Sequence, residues 1–372
     1  MGMWHSVLLK ALGDAFAAQG CEVSFVVADP VAARHYLARS PRVFTAPSYR
    51  PTREEAERFS ARHFGDIMGA AGWHDPNVLA ALVNSWDAVI DAVKPDQVVA
   101  DHAPALRLAC RDRVPVVGVG LAFTLPPPHL THLPALVESA PETHLEHELA
   151  LNGSLVLEHR GYAPLNRLAQ VFESALNAPT CLPELDPYRQ WRFDRCIGPV
   201  EAVGVPSEVP EDAPWIAYLS ADVPETEQVL TQLAWRRPGL AFVRDLSADA
   251  RQRLVDAGVH LVEHPMPLAD ALVQAAFIVH HGGAGTMHQA VAVGRPQLLL
   301  PRHLEQAYNA SVVSRMQAGT VVASAGAAHV ETALEQALGA GMRDAAQKWA
   351  SVASAQIDPG AGARLVSQAL AL

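Results

Sequence analysis

The stretch IVHHGGAGTMHQAVAVGRPQLLLPRHLEQAYNA, residues 278–310, decides the reading of this chain. A short apolar, β-branched run ends in His280 and His281, and Gly282, Gly283 and Gly285 follow. Thr286 opens a helical stretch that Gly294 closes, with Pro296 just beyond. The apolar QLLL is a second strand, and Glu305-Gln306 lie on the loop after it. Strand, turn, helix and strand in that order make a unit of parallel sheet. Open parallel sheets bind ligands beyond the carboxyl ends of their strands. There the glycines let the backbone turn and approach a ligand, and the helix start offers free N–H groups and partial positive charge to a phosphate. His281, the Gly283 and Gly285 backbone and the Thr286 amide and hydroxyl are the candidate diphosphate cradle. No Walker lysine or GxGxxG fingerprint accompanies it. A glycine turn alone is equally well explained as chain reversal. The acid–amide pair Glu305-Gln306, expected on the same rim, adds acceptors and donors suited to sugar hydroxyls.

Outward from this unit, apolar runs alternate with helical stretches. WIAYL, LAFV, VHLV, FIVH, QLLL and TVV give one series in the second half. CEVSFVVA, RVFTAP, QVVAD and VPVVGVG give another in the first. Helices are expected over 53–71, 77–93, 135–150 and 165–176, and the last thirty residues read as helical. The proline- and acid-rich RCIGPVEAVGVPSEVPEDAP, residues 195–214, separates the two series. The expected fold is α/β: two Rossmann-like domains facing a cleft, 1–198 and 214–372, with a linker over 199–213 and final helices that cross back to the first domain.

Composition narrows the classes of function. The 372 residues are half apolar and 18% charged, with a net charge of −11 and no basic block, which argues against a nucleic-acid groove. The four cysteines form no CxxC pair and read as buried thiols of a reducing compartment. No run reaches the roughly 18 uninterrupted apolar residues of a membrane helix, and no signal peptide is legible, so a cytoplasmic protein is expected. The 17 histidines show no HExxH spacing and no Asp-x-Asp pair occurs, so no metal is expected.

HHGGAGT, the VGRPQLLLP spacing and EQxxNA together resemble the donor-site motif of GT-B glycosyltransferases, closest to the family-1 enzymes that modify macrolides and other antibiotics. The resemblance extends more weakly over PDQVVADHAPA and GVGLAFTLPPP. It implies that His281, Gly283, Gly285 and Thr286 hold the diphosphate of a UDP- or TDP-sugar. It places Gln289, where the family often has glutamate, at the ribose, and Glu305 and Gln306 at the donor sugar. EHPMP, residues 263–267, lacks the tryptophan with which the family stacks the base, which leaves base identity open.

Sugar transfer to a hydroxyl needs a base, and a histidine oriented by a carboxylate serves near neutral pH. By the resemblance, MGMWHS supplies this histidine, His5, from a loop, and VVADH supplies its partner, Asp101, at a strand end; His102 is the decoy. Trp73, Phe123 and Leu125 are candidates to line an apolar acceptor pocket, with core packing as the alternative. The family's first strand precedes the histidine loop, and here the loop comes first. The first domain is therefore expected to lack its opening strand and to hold His5 loosely, with weakened activity. The expectation is an inverting, metal-independent glycosyltransferase acting on a small apolar acceptor. The alternative is a non-catalytic or truncated nucleotide-sugar binding protein.

Overall fold

The computed structural model describes all residues except 1, 2, 38, 39, 41, 139, 201, 202, 211, 323 and 324. The chain divides into two compact units, 1–201 with 358–372, and 202–357. The second unit therefore ends at Ile357. The final helix, Ala361–Ala369, belongs to the first unit.

The first unit carries five strands among the described residues: β1 Phe25–Val27, β2 Val43–Thr45, β3 Val98–Asp101, β4 Val116–Gly120 and β5 Leu176–Pro179. All pairings are parallel, but they form two sheets, β1-β2 and β3-β4-β5. Among the described residues no strand joins them. The helix Met3–Ala18 turns Leu8 and Leu12 onto Val117, Val119 and Ala178 of the three-stranded sheet, and Leu365 and Ala369 of the final helix close the same core. Each buried leucine contributes roughly 1.5–3 kcal/mol. Gln97 donates from its side-chain amide to the Ala369 carbonyl at 2.8 Å, fixing the end of that helix.

Three local expectations are corrected. Leu176, read as the last residue of a helix over 165–176, instead opens β5; the strand pairs only with β4, and an edge strand tolerates its terminal proline. The helix expected over 135–150 lies at Glu146–His159. The stretch 53–71 breaks into Arg53–Arg58, Phe64–Met68 and a wide turn Gly69–Trp73.

The second unit is one parallel sheet of β6 Trp215–Ser220, β7 Gly239–Arg244, β8 His260–Leu261, β9 Ile278–His280, β10 Gln297–Leu299 and β11 Gly319–Val321. Their order is β11-β10-β9-β6-β7-β8. β9 and β10 are buried throughout and β6 nearly so, as strands covered on both faces must be. No helix among the described residues is long and apolar enough to cross a membrane.

Candidate functional site

The strand order locates the ligand end of the second unit. From β6 the chain winds outward through β7 and β8, then returns to the other side of β6 with β9 and winds through β10 and β11. The connections part between β6 and β9, and at such a switch point a crevice opens beyond the strand ends. Ser220 ends β6 there, and His281 follows β9.

The glycine turn between β9 and the helix Ala284–Val293 is built for close approach. Gly282 has φ +87°, and a Cβ on it would lie 3.0 Å from the Gln306 carbonyl oxygen. At Gly283, the helix N-cap, a Cβ would meet nothing within 4 Å, so the space before the helix is open. The first-turn N–H groups, among them those of Gly285 and Thr286, have no intrahelical partner. Gly294, at φ +81°, ends the helix.

Both histidines before this turn are engaged. His280 bonds Gln297 through Nε2 at 3.0 Å and accepts the Gly282 N–H at Nδ1. Complete burial pushes it down to about 4, so it stays neutral and structural. His281 donates from Nδ1 to the Leu300 carbonyl at 2.8 Å, and its Nε2 accepts the Ser220 N–H at 3.0 Å. Burial, with the charge of Arg244 nearby, lowers its pKa. Both ring nitrogens are thus engaged inside the unit, where the sequence led to an imidazole donor facing a diphosphate. Neither ring nitrogen of the neutral ring has a proton left to offer, and the ring instead links the β6, β9 and β10 ends across the switch point.

Gln306 is buried and accepts the Arg302 N–H at 3.0 Å, so its side-chain oxygen shapes the β10 loop. Glu305 lies in the first turn of the helix Leu304–Arg315. Gln289 accepts the Gly204 N–H at 3.0 Å, which ties its carbonyl oxygen to the segment leading into the unit. Asn309 donates to the Gly282 carbonyl at 2.9 Å and holds the glycine turn. It was not among the candidates, although EQxxNA sets it four residues after Glu305, on the same helical face.

In the first unit His5 and Asp101 meet, with His5 Nδ1 2.5 Å from Asp101 Oδ2. The carboxylate is fully buried and the imidazole mostly so. His5 sits in the first turn of the helix Met3–Ala18, not in a loop, and is held by Asp101 instead of loosely placed. Gly2, assigned to that loop, lies outside the described residues. Asp101 rests on Gly120, whose φ is +114° and where a Cβ would fall 2.2 Å from Oδ1. His102 takes a positive φ of 44° and packs edge-on against Phe64. Burial, with His5 beside it, pushes it down to about 4. The ring is therefore neutral near pH 7.

Residues 242–367 match the family of erythromycin biosynthesis protein CIII-like C-terminal domains. A 44-residue segment is 48% identical to the vancomycin aglycone glucosyltransferase of Amycolatopsis orientalis; it spans 12% of this chain and only 11% of that protein. The calicheamicin glycosyltransferase CalG4 superimposes over 98% of this chain and 95% of its own, with a TM-score of 0.67 at 18% identity. The spinosyn rhamnosyltransferase SpnG, complexed with thymidine diphosphate, does so over 97% and 95%, with a TM-score of 0.64 at 17% identity. The chain shares the GT-B fold of these glycosyltransferases.

In this GT-B chain the three acceptor candidates are core residues. Trp73 and Leu125 are completely buried and Phe123 is 5% exposed, packed edge-on against Phe64. Apolarity alone does not separate a pocket wall from a core. A cavity of about 640 Å³ does lie in the same unit, lined by Arg62, His63, Glu142, Glu146, Leu165 and Leu168 among others. Phe64, the next residue after His63, carries the packing against His102.

Proposed function

We propose that this chain transfers a sugar from a thymidine or uridine diphosphate sugar to a hydroxyl of a small, largely apolar acceptor, with inversion and without a metal. The observation that carries the reading is the buried His5–Asp101 pair. A carboxylate on Nδ1–H fixes the tautomer in which Nε2 is the basic nitrogen, and it stabilises the imidazolium that forms. His5 Nε2 takes the acceptor proton as the acceptor oxygen bonds to the anomeric carbon. The bond from that carbon to the diphosphate oxygen breaks on the opposite face, so the configuration inverts. The departing charge is met by the first-turn amides of the helix Ala284–Val293 and the Thr286 hydroxyl, which supply the neutralisation a metal gives elsewhere. His281 acts here by holding Ser220 and the glycine turn together, with Glu305 and Gln306 toward the sugar and Gln289 toward the ribose. The thymidine diphosphate of the spinosyn enzyme complex supports a pyrimidine donor. The 640 Å³ cavity falls within the range of small-molecule sites and supports an organic acceptor of modest size.

The test is release of nucleoside diphosphate from a panel of thymidine and uridine diphosphate sugars, in the presence of hydroxylated apolar acceptors. Turnover by the chain and its loss in His5→Ala, with nucleotide binding retained, is the expected result. Nucleotide binding without turnover across the panel would favour a binding protein instead.

A further inference from the structure

We propose that Arg302 is a diphosphate ligand of the donor site and that Asp222 holds its guanidinium in place until the diphosphate takes over. The assignment rests on the donor site proposed above and adds to it a cation that the glycine motif does not contain.

Arg302 lies on the loop after β10, and Asp222 on the loop after β6. In the sheet β9 stands between these two strands. The Arg302 guanidinium, through Nη2, forms an ion pair with Asp222 Oδ2. A bond from the end of β10 to the end of β6 has to pass over the end of β9, where His281, Gly282 and Gly283 turn into the helix. The pair is therefore a strap across the turn that the diphosphate would occupy. Its base is fixed, because the Arg302 N–H donates to Gln306. Its far end is close to fixed structure too, since Ser220, two residues before Asp222, donates its N–H to His281.

The chemistry favours exchange. The Arg302 and Asp222 side chains are 29% and 48% exposed, and ion pairs so open to water hold little net energy. A guanidinium matches the oxygens of a phosphate through two parallel hydrogen bonds and carries its charge at every working pH. A diphosphate brings more charge to the same fork than a single carboxylate does. The other cation described at these strand ends, Arg244, is bonded to its neighbour Asp245 at 3.1 Å and to the Ser220 hydroxyl at 3.4 Å. With the diphosphate bound, Asp222 is a nearby negative charge that has lost its partner, so it opposes binding even as it positions the arginine.

The two members of the pair thus have opposite effects. Calorimetric titration of the full chain with thymidine and uridine diphosphate, and with the two nucleosides, separates them. Arg302→Gln should weaken diphosphate binding by about 10- to 150-fold, the value of a charge-assisted hydrogen bond, and leave nucleoside binding unchanged. Arg302→Lys, which keeps the charge and loses the fork, should recover part of that loss. Asp222→Asn should bind diphosphate as tightly as the unmodified chain or more tightly. Thermal unfolding of each variant reports whether the fold is kept. Diphosphate binding by a folded Arg302→Gln within twofold of the unmodified chain would overturn the assignment. So would a loss in Asp222→Asn equal to that in Arg302→Gln, which would make the pair structural. If the unmodified chain binds no nucleoside diphosphate at all, the donor site itself falls and this assignment with it.

Discussion

Replacing Asp101 by asparagine separates catalysis from stability. The carboxylate is fully buried, with Oδ2 2.5 Å from His5 Nδ1 and Oδ1 facing Gly120 with no hydrogen-bond partner among the described residues. Asparagine has nearly the same volume, so the packing over Gly120 survives. What is lost is the charge that supports the imidazolium. A hydrogen bond to a charged group contributes about 1.5–3 kcal/mol. At about 1.4 kcal/mol per factor of ten, that is a fall in kcat of roughly 10- to 150-fold. Full burial puts the result toward the upper end, and an amide that turns its NH₂ toward the ring selects the wrong tautomer and adds to it. Stability should move the other way or not at all, because an incompletely partnered buried charge is exchanged for a neutral group. The assay is nucleoside diphosphate release at saturating donor, beside a melting curve and a calorimetric nucleotide affinity. A kcat within threefold of the unmodified enzyme, with the fold intact, would refute the role of Asp101.

The remaining predictions concern the second unit. His280 is pushed from 6.5 to about 4, so the unfolded chain takes up this proton first as pH falls. Its contribution, on the order of 3 kcal/mol, is complete above pH 6.5, is lost as pH drops toward 4 and is constant below. His280→Gln should flatten the dependence of Tm on pH across that window, as scanning calorimetry would show; an unchanged curve contradicts the burial argument. Gly282→Ala forces a residue with a Cβ to φ +87° against the Gln306 carbonyl. It should cost about 1–2 kcal/mol in denaturant unfolding and weaken diphosphate binding measurably. Asn309→Ala releases the Gly282 carbonyl and should raise the donor KM severalfold with a smaller change in kcat; equal effects on both would place Asn309 elsewhere in the reaction. Arg295 is completely buried and donates to the carbonyls of Leu272, Ser207 and Glu208. Arg295→Met strands those acceptors and should cost at least about 3 kcal/mol, roughly 6–12 °C in Tm.

The second unit was legible because its signals are local. FIVH followed by glycines, a helix closed by Gly294 and a second apolar run leaves one reading for the backbone, and β9, β10 and the helix between them lie where the pattern puts them. The first unit was less so. Residues 176–179 have no β-branched side chain, and only pairing with β4 makes them a strand. His5 falls in a helix because Leu8 and Leu12 anchor that helix to a distant sheet. Trp73, Phe123 and Leu125 look the same in sequence whether they line a pocket or fill a core. The pairing of both His281 nitrogens and the Asp222–Arg302 strap were out of reach, since they join loops far apart in the chain that become neighbours only through the strand order.

The central claim is a single displacement at the anomeric carbon with His5 as the base. The anomeric configuration of the product tests it most directly. Nuclear magnetic resonance of the glycoside formed from a donor with an α-linked diphosphate should show the β-anomer alone, and none should form with His5→Ala. An α-linked product, or undiminished β-product from His5→Ala, would contradict the account.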